Sequence, residues 1–449
     1  MPTTYIIENK NEALTSHSGL ALIGALLHNR TDLKDRLNEL TLDNCATPLI
    51  SHADIIFSMT GLISLGKPDY DAIEPFRNDA FFKNSLGLEN CPSSPTLRQR
   101  LDLADGNFDT IIKQESAALI KNTAHQITPI TTEKGPLVPL DIDVSPFDNS
   151  KTKKEGVSRT YKGNDGFAPI FSYLGCEGFL VNVELREGKQ HCQNGTPDFL
   201  RETIQYSKQI TTTPMLLRLD SGNDSIENVK ISIDDGVDFI IKRNLRNESK
   251  EQWFDIAKQQ GHAHVARPGK TVYRGSIYRK LPDIEKPVRI VFDIIERTID
   301  KKGQTLLMPE IEVDTYWTSL DDPELQLIEL YHDHGTSEQF HSELKSDMGL
   351  ERLPSNYFKT NSLIVLIAML SYNMLRLCGQ ESLQDSNGTP RPAFRKKAFR
   401  RRIRTVIQDL IYLASHITSH SKRAYMSFGR YCHWDDIWQQ IYMRFLVTL

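Results

Sequence analysis

A chain of 449 residues is too long for one ordinary domain and, at roughly 150 residues apiece, has room for about three. Its 39% hydrophobic and 25% charged content is that of an ordinary globular protein, and a net charge of -4 carries no overall nucleic-acid signal. Six scattered cysteines (Cys45, Cys91, Cys176, Cys192, Cys378 and Cys432), with no C-x-x-C pair and no short-spaced Cys/His set, leave out a zinc site and read as reduced thiols.

The amino terminus, MPTTYIIENKNEAL, has no basic stretch followed by an apolar run, so no secretory signal is expected and a cytoplasmic location is. Over residues 1–134, apolar helical stretches at 20–27, 55–65 and 108–120 alternate with short polar breaks, which predicts a small helical domain and a candidate for DNA binding. Within it, SPTLRQRL has a Ser before Pro that can cap a helix, and Arg98 and Arg100 on that helix face either DNA or, equally, plain solvent. From residue 137 the pattern turns to strands, LVPLDIDVSPF, GFAPIFSYLG and GFLVNVELREG, which form an antiparallel meander. A helix near 197–210, the apolar strand PMLLRLDSG and the strand VDFIIKRN follow. Three strands, helix, strand, helix, strand is the order of a ribonuclease-H-like α/β core with a mixed sheet, expected over residues 135–350. A β-rich insertion interrupts it at about 243–318, with TVYRGSIYRK, PVRIVFDIIERT and QTLLMPEIEVDTYWTSL as its strands.

After Asp321 the helical pattern returns through Leu350. The run at 362–377 is too short, and with Asn373 and Arg376 too polar, to span a bilayer, so it reads as a buried helix in a helical C-terminal region, 351–449. Twelve Lys or Arg stand against three Asp from residue 391 to the end. The segment RKKAFRRRIRTVIQDLIYLASHI is expected to close the chain as a helix, with Phe399, Ile403, Val406, Leu410 and Leu413 on its apolar face and Arg400, Arg401, Arg402 and Arg404 on a phosphate-binding one.

Three places can carry chemistry. In PLDIDVSPF, alternation puts Val138, Leu140, Ile142 and Val144 on one strand face and both Asp141 and Asp143 on the other, where two like charges call for a metal or for solvent. In LRLDSG, Asp220 ends the most apolar strand, where its partner is either a metal or Arg218. In YHDHGTSEQFHSELK, Tyr331, His334, Glu338 and Lys345 fall on one helical stripe, and Gly335 inside that helix calls for a close approach to offset its cost of about 1 kcal/mol.

With these blocks in order, the sequence resembles the DDE transposases of bacterial insertion sequences that carry a Y-x2-R-x3-E-x6-K signature, over residues 137–377. Asp141 to Ser145, Leu217 to Gly222, Tyr331 to Met348 and Leu370 to Leu377 carry the resemblance, with Arg186, Gly188 and Asn194 resembling the family's R-x-G-N turn. The resemblance implies cleavage at transposon ends and strand transfer, with Asp143, Asp220 and Glu338 holding two Mg²⁺ or Mn²⁺ ions, Ser145 two residues on marking Asp143 rather than Asp141. It implies that Tyr331 and Lys345 contact the DNA backbone, and that His334, which stands where the signature has Arg, either makes a weaker contact or is unused. In the insertion, Arg274, Arg279 and Lys280 are implied DNA contacts, whereas Trp317 divides between base stacking and the core, the core favoured. Partners implied are terminal inverted repeats, target DNA and a second copy of the chain in a synaptic complex, with the protein on the nucleoid when bound. A nuclease of the same fold without strand transfer, and an inactive DNA-binding derivative, are the competing readings.

Overall fold

The computed structural model describes residues 2–42, 48–124, 126–300, 302–385, 400–421 and 423–447. The chain forms two compact units. One comprises Met1–Glu115, Asp347–Gly349 and Leu370–Leu449, and the other comprises Ser116–Ser346 and Leu350–Met369.

The second unit is built on a ten-stranded mixed sheet. Its core strands are β1 (Gly135–Val144), β2 (Ile170–Leu174), β3 (Phe179–Glu184), β4 (Met215–Leu219) and β5 (Asp238–Lys242). Strands β1, β2 and β3 form the antiparallel meander, while β4 pairs parallel to β1 and β5 parallel to β4, giving the order β3-β2-β1-β4-β5. That is the mixed sheet the strand-helix alternation predicts. The insertion prolongs it: β6 (His262–Arg267), β7 (Lys270–Arg279), β8 (Val288–Ile299) and β9 (Thr305–Thr318) pair antiparallel in sequence, and β9 returns to close on β5.

Helices cover both faces, which is why the central strands are near-continuous apolar runs. On one face Val138, Leu140 and Ile142 of β1 and Leu217 and Leu219 of β4 pack with α1 (Thr196–Ile210), α2 (Ile226–Asp234) and α3 (Lys250–Gln260) through Phe199, Ile204, Val229 and Trp253. On the other, Leu137, Leu216 and Ile240 meet Leu327, Ile328 and Tyr331 of α4 (Glu324–His332). Local chemistry starts these helices: Ser225 accepts from the N–H of Asn228, and Ser249 forms a reciprocal capping box with Gln252.

The first unit contains helices Leu20–Arg30, His52–Ser64 and Ser94–Asp102, near where sequence places them, and a further helix, Ala80–Leu86, that the sequence pattern does not mark. On the last of these, Arg100 donates to the Ile50 carbonyl and bonds His52, and Arg98 lies over the Tyr70 ring, so both side chains are engaged within the unit. The helix Phe358–Glu381 is apolar enough to pass for a membrane span by composition, but 94% of its apolar window is buried, as in a core helix.

The basic tail departs from expectation. Residues 386–399, Phe399 of the expected apolar face among them, lie outside the described residues; among those described, a helix runs Ile403–Val406 into a π turn over Ile407–Ile411. It then gives way to an antiparallel hairpin of Ser415–His420 and Arg423–Phe428, and to a last helix at Asp435–Leu446. Arg401 is buried, ion-paired to Asp409 and stacked on Trp434, and so is not the solvent-facing phosphate contact expected of it. Arg402 and Arg404 pair with the buried carboxylate of Asp347 at 2.8 and 3.3 Å but keep about half of their side chains in solvent.

Candidate active site

The register of two parallel strands assembles the centre of the site. Asp141 lies opposite Arg218 and Ile142 opposite Leu219, so Asp143 and Asp220 emerge together where β1 and β4 end. The two aspartates of β1 share a face but not a fate. Both oxygens of Asp141 accept from Arg218, Oδ1 from Nε at 2.6 Å and Oδ2 from Nη2 at 2.7 Å, and Oδ1 also lies 3.2 Å from His334 Nδ1. Arg218 spends its remaining nitrogen on the Leu330 carbonyl near the end of α4, a favourable place for a cation. Burial opposes ionisation of Asp141, but the charge of Arg218 and the bond from His334 outweigh it and hold the carboxyl low.

Asp143 has no cation in its place. Its Oδ1 accepts from the next N–H, that of Val144, at 2.8 Å, and 23% of its side chain reaches solvent against 5% for Asp141. Burial first, with the charge of Asp220 acting the same way, pushes Asp143 up to about 6, against the pull of His334, the Val144 N–H and Lys162. The alternatives at Asp220 resolve: Arg218 belongs to Asp141, and Asp220 accepts from Asn223 at 2.8 Å.

The segment carrying Tyr331 to Lys345 is not one helix. Helix α4 ends at His332, a 3-10 turn covers Asp333–Thr336, α5 covers Ser337–Ser342, and a π turn follows at Glu343–Asp347. Gly335 sits in the 3-10 turn with open space where a Cβ would stand, so a close approach does not account for it. Glu338 is exposed in the first turn of α5. Lys345 donates to Ser145 at 2.6 Å, and burial, with the charge of Lys162, pulls its ammonium down to about 8 against the pull of Glu351 and Asp143. Tyr331 is buried against Tyr316, and His334 is buried against Asp141. Of the two alternatives for His334, this burial fits a side chain committed to the protein: its ring completes the network around Asp141. Burial lowers its pKa, but the bond and charge of Asp141, aided by Asp143, more than reverse that.

In the insertion, Arg274 pairs with Asp293 at 2.9 Å, Arg279 pairs with Glu248 at 2.7 Å, and Lys280 is exposed. Trp317 is core: it is 4% exposed and donates to Asp224 at 3.0 Å under the Arg243 guanidinium.

Sequence reasoning missed His341 and Tyr161. His341 is buried against Phe171 and Tyr173 with Nδ1 3.8 Å from Asp143 Oδ2, and burial, then Lys345, His334 and Lys162, keep it neutral. Its spacing of three from Glu338 and four from Lys345 was the available signal. Tyr161 donates to the Val144 carbonyl at 3.0 Å; burial, then Asp143, Asp220, Cys192 and Glu338 all push its phenol up, which places its hydroxyl in the field of all three candidate carboxylates.

Among the described residues, no group of three or more His, Cys, Asp or Glu side chains stands close enough together to be a ready-made metal cluster. The strand ends bring Asp143 and Asp220 together, and Glu338 is carried by the short helix α5. The donors nevertheless fit a hard divalent ion in kind. All three are carboxylates, and the raised Asp143 beside Asp220 is a site whose charge a cation would relieve.

A mixed sheet of order β3-β2-β1-β4-β5, with an aspartate at the end of each of two adjacent parallel strands, defines the ribonuclease-H-like class of folds. Within that class, the family model described as transposase DDE domain group 1 matches residues 6–447, and the chain belongs to that family. No curated protein matches it. Among solved structures, a piggyBac transposase synaptic complex with hairpin DNA, determined by cryo-electron microscopy, is similar at 12% identity and a TM-score of 0.41, over 82% of this chain and 77% of that one.

Proposed function

We propose that the protein is an insertion-sequence transposase that cleaves DNA at the terminal inverted repeats of its element and joins the freed ends to target DNA. One observation carries the reading: in a chain of this family, Asp143 and Asp220 share the exit of two parallel strands, and Asp143 alone of the two β1 aspartates lacks a cation. Asp143, Asp220 and Glu338 would hold Mg²⁺ or Mn²⁺, which when bound activates the attacking oxygen and stabilises the leaving one. Lys345, half-buried and tied to Ser145, would meet a phosphate oxygen as DNA enters, and neutral His341 would wall one side of Asp143. Lys280, Arg400, Arg402 and Arg404 are the candidates among the expected cations for backbone contacts, and a second copy of the chain would pair the two ends.

The test is incubation with a duplex carrying the inverted repeats that flank the coding sequence, with Mg²⁺ or with chelator. Cleavage at the repeat ends followed by joining to a plasmid, both abolished by chelation, supports the proposal. Cleavage without joining moves the protein to the nuclease reading, and binding without either moves it to the inactive one.

A further inference from the structure

Between β1 and β2 a small hairpin pairs Ser158 with Gly166 and Arg159 with Asp165. Its turn is held rigidly. Thr160 N–H donates to the Asn164 carbonyl at 2.9 Å, Gly163 N–H to the Thr160 carbonyl at 3.0 Å, and the Thr160 hydroxyl to Asn164 Oδ1 at 2.6 Å. Gly163, at φ +83°, makes the turn possible. At its tip stand Tyr161 and Lys162. The Tyr161 side chain is anchored at one end only: its hydroxyl donates to the carbonyl of Val144, the residue after Asp143, while the residue as a whole is 67% exposed. The ring is therefore open to stacking from solvent. Lys162 lies 5.9 Å from the ring centroid, makes no salt bridge among the described residues, and is near enough to Asp143, His341 and Lys345 to act on the charge of each.

We propose that Tyr161 and Lys162 form a subsite for the nucleotide next to the cleaved bond, the ring stacking on its base and the ammonium meeting its phosphate. The inference rests on the phosphodiester-cleaving reading above and adds to it a site that selects geometry rather than sequence, because every base has a π face. The single anchor sets the ring at the carboxylates while leaving it free for a base. Lys162 supplies the positive charge that the aspartate pair lacks on its solvent side.

The probe is the same repeat-bearing duplex with 5-iodouracil at the base flanking the cleavage position, irradiated in complex and mapped by peptide mass spectrometry, alongside steady-state cleavage in Mg²⁺. Wild type is expected to crosslink at Tyr161. Tyr161→Phe, which keeps the ring and loses only its anchor, should still crosslink and cleave with a smaller rise in KM, whereas Tyr161→Ala should lose the crosslink and raise KM about tenfold with kcat within about threefold. Lys162→Ala should lower the salt slope of binding by about one unit. Crosslinks confined to other peptides, an unchanged KM in Tyr161→Ala, or a loss in Tyr161→Phe as large as in Tyr161→Ala would each overturn the subsite, the last because the bond to Val144 would then be what matters. Failure of wild type to cleave overturns the underlying reading and the subsite with it, and is distinct from cleavage that ignores the ring.

Discussion

Asp141 and Asp143 are two residues apart on one strand face, yet the fold asks opposite things of them. Removing the carboxylate of Asp141 strands a buried guanidinium and a buried imidazole, so Asp141→Ala should destabilise the protein by roughly 3–5 kcal/mol, read from denaturant unfolding. At Asp143 the sign reverses. Its folded pKa of about 6 stands above the ordinary 3.8, so the stability it contributes is complete below about pH 4 and is lost as pH rises through 6, about 3 kcal/mol in order of magnitude. Metal-free wild type should therefore weaken across that window while Asp143→Asn stays flat, and Mg²⁺ at pH 7 should raise the melting temperature of wild type alone; a flat wild-type profile would refute this. Alternation in the sequence put both aspartates on one face. Which one is free depended on Arg218, a residue brought alongside only by strand register.

At the scale of elements, the strands were legible because two-faced burial makes them apolar runs, and the apolar helical stretches because their turns and caps are local. The signature segment was legible in its residues and not in its shape: spacing made it one helix, whereas turns at Asp333–Thr336 and Glu343–Asp347 break it into pieces. Gly335 has open space at its Cβ and no positive φ, so Gly335→Ala should leave stability unchanged or raise it by up to about 1 kcal/mol. A loss of more than that in thermal unfolding would show a constraint absent from its surroundings. In the insertion, the sequence offered Arg279 as a free cation, but Glu248 holds Arg279 and Arg243 together and accepts from Trp253. Burial opposes the charge of Glu248, and the bonds from Arg279 and Arg243 overcome it, holding the carboxyl down to about 2. That contribution is present above the ordinary 4.5 and is lost only as pH falls through about 2. Glu248→Gln should cost about 2 kcal/mol at neutral pH, and a neutral result would return Arg279 to the DNA-facing set.

For the whole molecule, the overall charge of -4 conceals a local excess of cations, and composition alone could not say which of them are spent on the fold. Asp347 consumes Arg402 and Arg404 in part. Neutralising both arginines should lower the melting temperature, and adding Asp347→Asn should restore much of it, because the stranded charge is then gone. An unchanged melting temperature in the double arginine variant would show that the fold does not depend on these pairs and leave both cations to DNA.

Family and fold together point to one chemical centre, and its most direct test is turnover of the repeat-bearing duplex by Asp143→Asn, Asp220→Asn and Glu338→Gln at matched DNA binding. Each variant should bind as wild type does and lose about a thousandfold or more in cleavage rate, the joint loss being no larger than the single ones because the three act as a unit. Wild-type rates in any one of them would remove that residue from the centre, and wild-type rates in Asp143→Asn would contradict the account as a whole.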